Sequence, residues 1–122
     1  MIEAVLLLSE LGWLPVGDLR VIAFDLGAFW PGLLFGYQSF YPTQSIWMFL
    51  TYSVLHAGPL HLTVNMLTLM FLTDPVVNRV GVKRFYLVYG VGTLVAALAF
   101  AVLSFGAGPM VGASGALFGL VG

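Results

Sequence analysis

Charged residues and cysteine are what this sequence lacks most. Only 7% of its 122 residues are charged, the formal net charge is −1, and there is no cysteine. Soluble domains carry roughly 25% charged residues, so this chain does not have the surface of a soluble protein. The absence of cysteine excludes disulfides and thiolate metal sites. No basic run offers a surface for nucleic acid, which is therefore not an expected partner.

Apolar residues fill the chain instead. Hydrophobic residues make up 61% of it, and the mean hydropathy is +1.05. These values indicate an integral membrane protein built from helical spans. No cleavable signal peptide is evident, because the first apolar run, residues 4–8, is short and follows Glu3 rather than a basic region.

The apolar stretches predict how the chain is divided. A spanning helix needs about 20 mostly apolar residues, and residues 59–77 and 85–105 are predicted to form two such spans. Residues 110–122 are predicted to begin a further span, so that the chain is truncated within a fourth transmembrane helix. Residues 1–16, which charges, glycine and proline interrupt, are predicted to be the end of a first span or an interfacial helix. Residues 17–58 mix aromatics with charges and helix breakers, which predicts an external loop at the membrane boundary.

Charge asymmetry predicts the orientation of the spans. The connection between the two predicted spans holds three of the chain's four basic residues: Arg79, Lys83 and Arg84. The positive-inside rule places such a connection in the cytoplasm, and residues 106–109 are then a short external turn. His61 and Ser114 both fall near the outer ends of inward-running helices, at one membrane depth.

Two polar residues indicate a pocket on the first of these helices. His61 and Asn65 are four residues apart and so share one helix face. Polar side chains within a span usually face the protein interior or a water-filled cavity, although hydrogen bonding between helices explains such a pair equally well. His56 precedes the span, and a metal site formed by His56 and His61 lacks a third ligand and is not expected.

Ser114 lies among glycines in the last apolar segment. Gly112, Gly115 and Gly119 are typical of close packing between membrane helices. Glycines beside a nucleophile would also allow a substrate peptide to approach it closely. The unpaired N–H groups of the first helical turn could stabilise an oxyanion. A serine hydroxyl needs an adjacent base, and only His56 and His61 are available as histidines. The residues alone therefore indicate a polar site with a candidate nucleophile and no assigned base.

Two motifs follow one another in successive apolar segments. The first is His56-Ala-Gly-Pro-Leu-His61-Leu-Thr-Val-Asn65, and the second is Gly112-Ala-Ser114-Gly115-Ala-Leu-Phe118-Gly119. In this order they resemble the motifs of the rhomboid intramembrane serine proteases. The resemblance also takes in Trp47 and Thr51, Arg79-Val-Gly81 and the aromatic-rich loop, and it covers most of residues 30–122. It implies an all-α, rhomboid-like polytopic helical bundle.

The resemblance implies a role for each residue of the site. Ser114 would be the nucleophile that attacks the substrate carbonyl. His61, Asn65 and the backbone N–H of Ser114 would stabilise the oxyanion. Gly112 would leave room for the backbone beside the bound substrate, and His56 would be structural, bonding the loop near the site.

The general base is implied to be a histidine two helices beyond the serine. Phe118 stands where many members have a tyrosine that packs against that histidine. Because residues 1–122 do not reach the last two core helices, the chain as given is expected to be inactive, and Gly115 and Gly119 are expected to lack the helix against which they pack. Two further differences from frequent family residues are expected to be tolerated: Met48 in place of arginine and Val77 in place of glutamate.

The predicted function is that of a serine endopeptidase that cleaves transmembrane-anchored proteins. It would work without a cofactor, in a bacterial-type plasma membrane, with its site toward the non-cytoplasmic side. A catalytically inactive rhomboid-like protein that binds membrane segments is the alternative, against which the presence of Ser114, His61 and Asn65 argues. A transporter fragment with His61 and Asn65 as a proton relay would fit the pocket but leaves the glycine–serine motif unexplained.

Overall fold

The computed structural model describes residues 2–14, 18–104 and 108–122. Within these ranges the chain is helical, which confirms the predicted all-α class, and its only extended pairing is one antiparallel bridge between Phe29 and Met110. The α-helices are α1 Ile2–Glu10, α2 Leu19–Gly27, α3 Gln44–Thr51, α4 Pro59–Val80, α5 Val82–Leu103 and α6 Ser114–Val121. Two short 3-10 helices, Pro31–Phe35 and Tyr52–Val54, lie on either side of α3.

The helices α4 and α5 are long and apolar enough to cross a membrane, at 22 residues each. Both differ from the predicted spans, since α4 continues past residue 77 to Val80 and α5 runs from Val82 to Leu103. The connection between the two helices is a single residue, Gly81. Its φ of +84° turns the chain from α4 into α5. Lysine and arginine are good helix formers, so the basic residues continue the helices instead of interrupting them.

The segment before Ser114 is extended where a helix from residue 110 was predicted. Met110 exchanges two backbone hydrogen bonds of 3.0 Å with Phe29, and Gly112 has a φ of +116°. Neither conformation is compatible with a helix, so α6 begins at Ser114. The predicted turn at residues 106–109 lies partly outside the described residues.

The region predicted to be an external loop, residues 17–58, is described from residue 18 onward, where it contains two α-helices and two 3-10 helices. Its prolines do not exclude helices. Pro31 occupies the first position of a 3-10 helix and Pro42 precedes α3, and proline is tolerated at the start of a helix because no N–H is needed there. On the N-terminal side of this region, the described part of α1 has nine residues.

Small residues bring α5 and α6 into close contact. A Cβ added at Gly92 would lie 3.3 Å from the backbone of Ala116, and one at Gly119 would lie 3.2 Å from the Cα of Gly92. A Cβ at Gly115 would lie 2.3 Å from the Cβ of Ala96. The expectation that Gly115 and Gly119 lack a packing partner is therefore wrong, because α5 supplies one.

Candidate active site

The two predicted site motifs meet at a groove between α4 and α6. Its volume is about 290 Å³, and its walls are formed by His61, Val64, Asn65, Thr68, Ser114, Leu117, Phe118 and Val121. Each helix contributes its first turns: α4 begins at Pro59 and α6 begins at Ser114. The structure thus brings His61, Asn65 and Ser114 to one cavity, with an otherwise mostly apolar lining.

Backbone contacts fix the imidazole of His61. Its Nδ1 accepts a hydrogen bond of 3.2 Å from the backbone N–H of Ala57. A neutral imidazole has one acceptor nitrogen and one donor nitrogen, so we assign the proton to Nε2. A Cβ added at Gly112 would lie 2.6 Å from Cε1 and 2.8 Å from Nε2 of this ring. The donor edge of His61 therefore faces the backbone that leads into Ser114.

Asn65 lies one turn further along α4. Its side chain is 3% exposed, and its Nδ2 donates a hydrogen bond of 2.8 Å to the carbonyl oxygen of His61. An amide nitrogen carries two protons, so the second remains available to a ligand in the groove.

Ser114 is the first residue of α6. The first N–H groups of a helix have no acceptor within it, and the positive end of the helix dipole lies there as well. The preceding loop is anchored, because the Gly112 N–H donates to the Tyr52 carbonyl at 2.9 Å and the Tyr52 hydroxyl donates to the Thr93 carbonyl at 2.7 Å. The Ser114 N–H is thus a fixed donor beside the groove.

His56 lies behind His61 rather than in the groove. It is 3% exposed, and its ring meets that of His61 edge-on with centroids 5.3 Å apart. Its backbone carries the contacts that fasten this loop: the N–H donates to Glu3 Oε1 at 2.6 Å and the carbonyl accepts from Arg20 Nη1 at 2.5 Å. The hydrogen bonds of His56 in this loop are therefore made by its main chain, and its ring nitrogens have no hydrogen-bond partner among the described residues.

Two features argue against either histidine as the base for Ser114. The lone pair of His61 Nδ1 is occupied by the N–H of Ala57, and both ring nitrogens of His56 are fully buried. Burial also lowers the pKa of His56 below its usual value, and the Glu3 carboxylate offsets this only in part.

Phe118 lines the groove with a side chain that is 77% exposed. An exposed aromatic at this point leaves one wall of the groove open. Thr68 and Val64 also line the groove, and sequence reasoning missed both because a threonine or a valine in an apolar helix is not distinctive.

Sequence reasoning also missed the supports behind the site. The Ala57 N–H leaves no trace in the residue type, and Tyr52 is one aromatic among many in its region. Glu3 and Arg20 did carry a signal, because charges are so scarce in this chain that each is a candidate for a specific contact.

Comparison with known proteins gave concordant matches. The sequence model of the Rhomboid domain matches residues 43–122. Human Rhomboid-related protein 3 is 37% identical over 76 residues, which cover 62% of this chain and 19% of that protein. RHOMBOID-like protein 1 of Arabidopsis thaliana is 39% identical over 79 residues, which cover 65% of this chain and 20% of that protein. The chain therefore spans about a fifth of the length of these relatives. No solved structure gave a significant match.

Proposed function

The chain belongs to the Rhomboid family, and we propose that it carries the active site of an intramembrane serine endopeptidase. Ser114 is the nucleophile in this proposal, and the substrates are transmembrane-anchored proteins. The observation that carries the proposal is the groove in which Ser114, His61 and Asn65 meet.

The proposed reaction begins with addition of Ser114 Oγ to the carbonyl carbon of the scissile peptide. A C–O bond forms, the π electrons of the carbonyl move to its oxygen, and the Oγ proton passes to a general base. Collapse of the tetrahedral intermediate breaks the C–N bond, and the base returns the proton to the leaving amine. Water then hydrolyses the acyl-enzyme by the same steps.

Three donors are proposed to stabilise the oxyanion. They are His61 Nε2–H, the free proton on Asn65 Nδ2 and the backbone N–H of Ser114. The first is supported by the acceptor role of His61 Nδ1, and the second by the single hydrogen bond that the Asn65 amide makes within α4. Removing one such donor typically lowers the rate by about 10²–10³-fold.

The general base is proposed to come from a histidine on a later helix, as the family resemblance implies. The surroundings of His56 and His61 support this assignment, because the Ala57 N–H occupies the Nδ1 lone pair of His61 and both ring nitrogens of His56 are fully buried. His61 is then a donor in every step.

The lining of the groove supports an apolar substrate. Val64, Leu117 and Val121 form its walls, which suits the side chains of a membrane segment. A peptide carbonyl within a regular helix is already hydrogen-bonded and shielded. We therefore propose substrates whose segment unwinds near the outer leaflet of the membrane, with the groove toward the non-cytoplasmic side.

The test is covalent labelling of the intact protein with a fluorophosphonate probe. Labelling is expected in the wild type and is expected to disappear in Ser114→Ala. Ser53→Ala is the matched control, because Ser53 only donates to the carbonyl of Leu50 and lies outside the groove. Persistent labelling of Ser114→Ala would defeat the assignment of the nucleophile. An intact wild-type protein that binds membrane segments but takes no label would instead be the inactive binding protein.

A further inference from the structure

Two charged residues from α1 and α2 hold the main chain next to the groove. Glu3 is 8% exposed, and it accepts the His56 N–H at 2.6 Å. Arg20 Nη1 donates to the His56 carbonyl at 2.5 Å and lies 3.0 Å from Glu3 Oε2. An ion pair thus satisfies both backbone groups of one residue. Burial of such a pair is costly unless its hydrogen bonds are complete.

The contact with Arg20 reaches His61 through one peptide unit. The carbonyl of His56 and the N–H of Ala57 belong to the same planar peptide group. Arg20 holds the oxygen end of this group, and the nitrogen end donates to His61 Nδ1 at 3.2 Å. A cation on the carbonyl oxygen also polarises the group and strengthens its N–H as a donor.

We propose that Glu3 and Arg20 are positioning residues for His61. Arg20 fixes the peptide between His56 and Ala57 directly, and Glu3 supports it by holding Arg20 and the N–H of His56. Together they keep the Nδ1 of His61 as acceptor and its proton on Nε2, toward the Ser114 loop. The effect on catalysis rests on the proposed function, whereas the effect on the imidazole does not. Both residues lie outside the matched domain at residues 43–122. The segment that positions the His61 ring is therefore one that the family match does not include.

Glu10 provides the contrast to Glu3. It also pairs with Arg20, through Nε and Nη2, but on the exposed side and without contact to His56. A purely structural ion pair between α1 and α2 would respond alike to the loss of either carboxylate. A positioning role requires that Glu3 and Arg20 affect His61 and that Glu10 does not.

The direct test is ¹⁵N NMR of the histidine rings at a pH where both are neutral. Residues 1–122 include two histidines, and His61→Ala identifies the signals of His61 in the intact protein. The wild type is expected to show His61 with bare Nδ1 and protonated Nε2. Arg20→Met and Glu3→Gln are expected to introduce the other tautomer, Arg20→Lys to restore part of the original signal, and Glu10→Gln to leave it unchanged. A wild-type spectrum in all of these variants would overturn the proposal, as would an equal change in Glu10→Gln.

Kinetics of the intact protein provide the second readout. Arg20→Met is expected to lower kcat by about 10- to 100-fold, because the misplaced donor acts in the transition state, and to leave KM nearly unchanged. Glu3→Gln, the milder variant, serves if Arg20→Met does not fold. A tautomer shift in a protein without Ser114-dependent cleavage would refute the proposed function and keep the positioning role. Ser114-dependent cleavage with unaltered tautomer and kcat in these variants would refute the positioning role alone.

Discussion

At the scale of single residues, the main chain controls the imidazole of His61. Ala57 supplies a donor to Nδ1, and Gly112 lies against the edge of the ring formed by Cε1 and Nε2. Of these two neighbours, only Gly112 is restricted in residue type, because it needs both a positive φ and the absence of a Cβ. The site therefore depends on a glycine that does no chemistry.

Gly112→Ala is expected to disable the site. The new Cβ would lie 2.6 Å from Cε1 of His61, at a φ of +116°, so the imidazole or the loop must move. We expect a strain of about 1–3 kcal/mol and a loss of labelling rate of roughly 10²-fold in the intact protein. Fluorophosphonate labelling over time measures the rate. Gly108→Ala is the control, since its Cβ would meet nothing within 4 Å, and equal losses in both variants would contradict the steric argument.

The burial of His56 predicts a stability that falls in acid. Its pKa is lowered chiefly by burial, with Glu3 opposing and His61 and Arg20 adding to the effect. The unfolded state, with a histidine pKa of about 6.5, then binds more protons than the folded state. The contribution of neutral His56 to stability is fully present above this pH. It declines as the pH falls from there toward the lowered pKa of the folded state.

Thermal unfolding in detergent between pH 8 and pH 5 measures this dependence. We expect the midpoint of the wild type to fall across the acidic part of this range. In His56→Phe, which keeps an apolar ring of similar size, the fall should be smaller. An identical pH profile in the two proteins would rule out His56 as the titrating group.

At the scale of secondary structure elements, the contact between α5 and α6 sets the position of Ser114. Gly92 and Ala96 of α5 meet Gly115, Ala116 and Gly119 of α6 at backbone distance. The small residues on both helices allow this close packing, which holds the start of α6 against α5. The glycines thus serve helix packing while the adjacent serine faces the groove.

Gly92→Leu is expected to separate these two helices. Its side chain would meet the backbone of Ala116, which cannot rotate away. We expect destabilisation by about 1–3 kcal/mol, as for other overpacked interiors, together with slower labelling of Ser114. Gly90→Leu on the same helix is the matched control, because a Cβ there meets nothing within 4 Å. Unfolding in detergent measures both, and equal stability of the two variants would contradict the packing argument.

At the scale of the whole molecule, the distribution of basic residues predicts the orientation of the groove. Three basic residues flank Gly81, and the groove lies at the opposite end of α4. The positive-inside rule predicts that Gly81 faces the cytoplasm. The groove then opens toward the other side.

Single cysteines placed in residues 1–122, which have none of their own, test this orientation once any cysteine elsewhere in the intact protein is replaced. In oriented vesicles of the intact protein, Gln38→Cys is expected to react with an impermeant maleimide from outside. Val82→Cys, which retains all the basic residues, is expected to react only after permeabilisation. The opposite pattern would reverse the proposed orientation of the site.

The sequence by itself determined the class of the molecule and the residues that could do chemistry. Low charge and high hydropathy indicate a membrane protein. A spacing of four residues places His61 and Asn65 on one helix face. These are local properties, carried by composition and periodicity. The two motifs also identified the family, because their residue types and order are specific.

Only the tertiary structure decided which groups touch. The bridge between Phe29 and Met110 delays the start of α6, Arg20 reaches the His56 carbonyl 36 positions away in the chain, and α5 receives Gly115. Each contact joins residues far apart in sequence, and several are made by backbone atoms that every residue possesses. Residue types record local preferences, whereas a peptide N–H becomes specific only when folding places an acceptor in front of it.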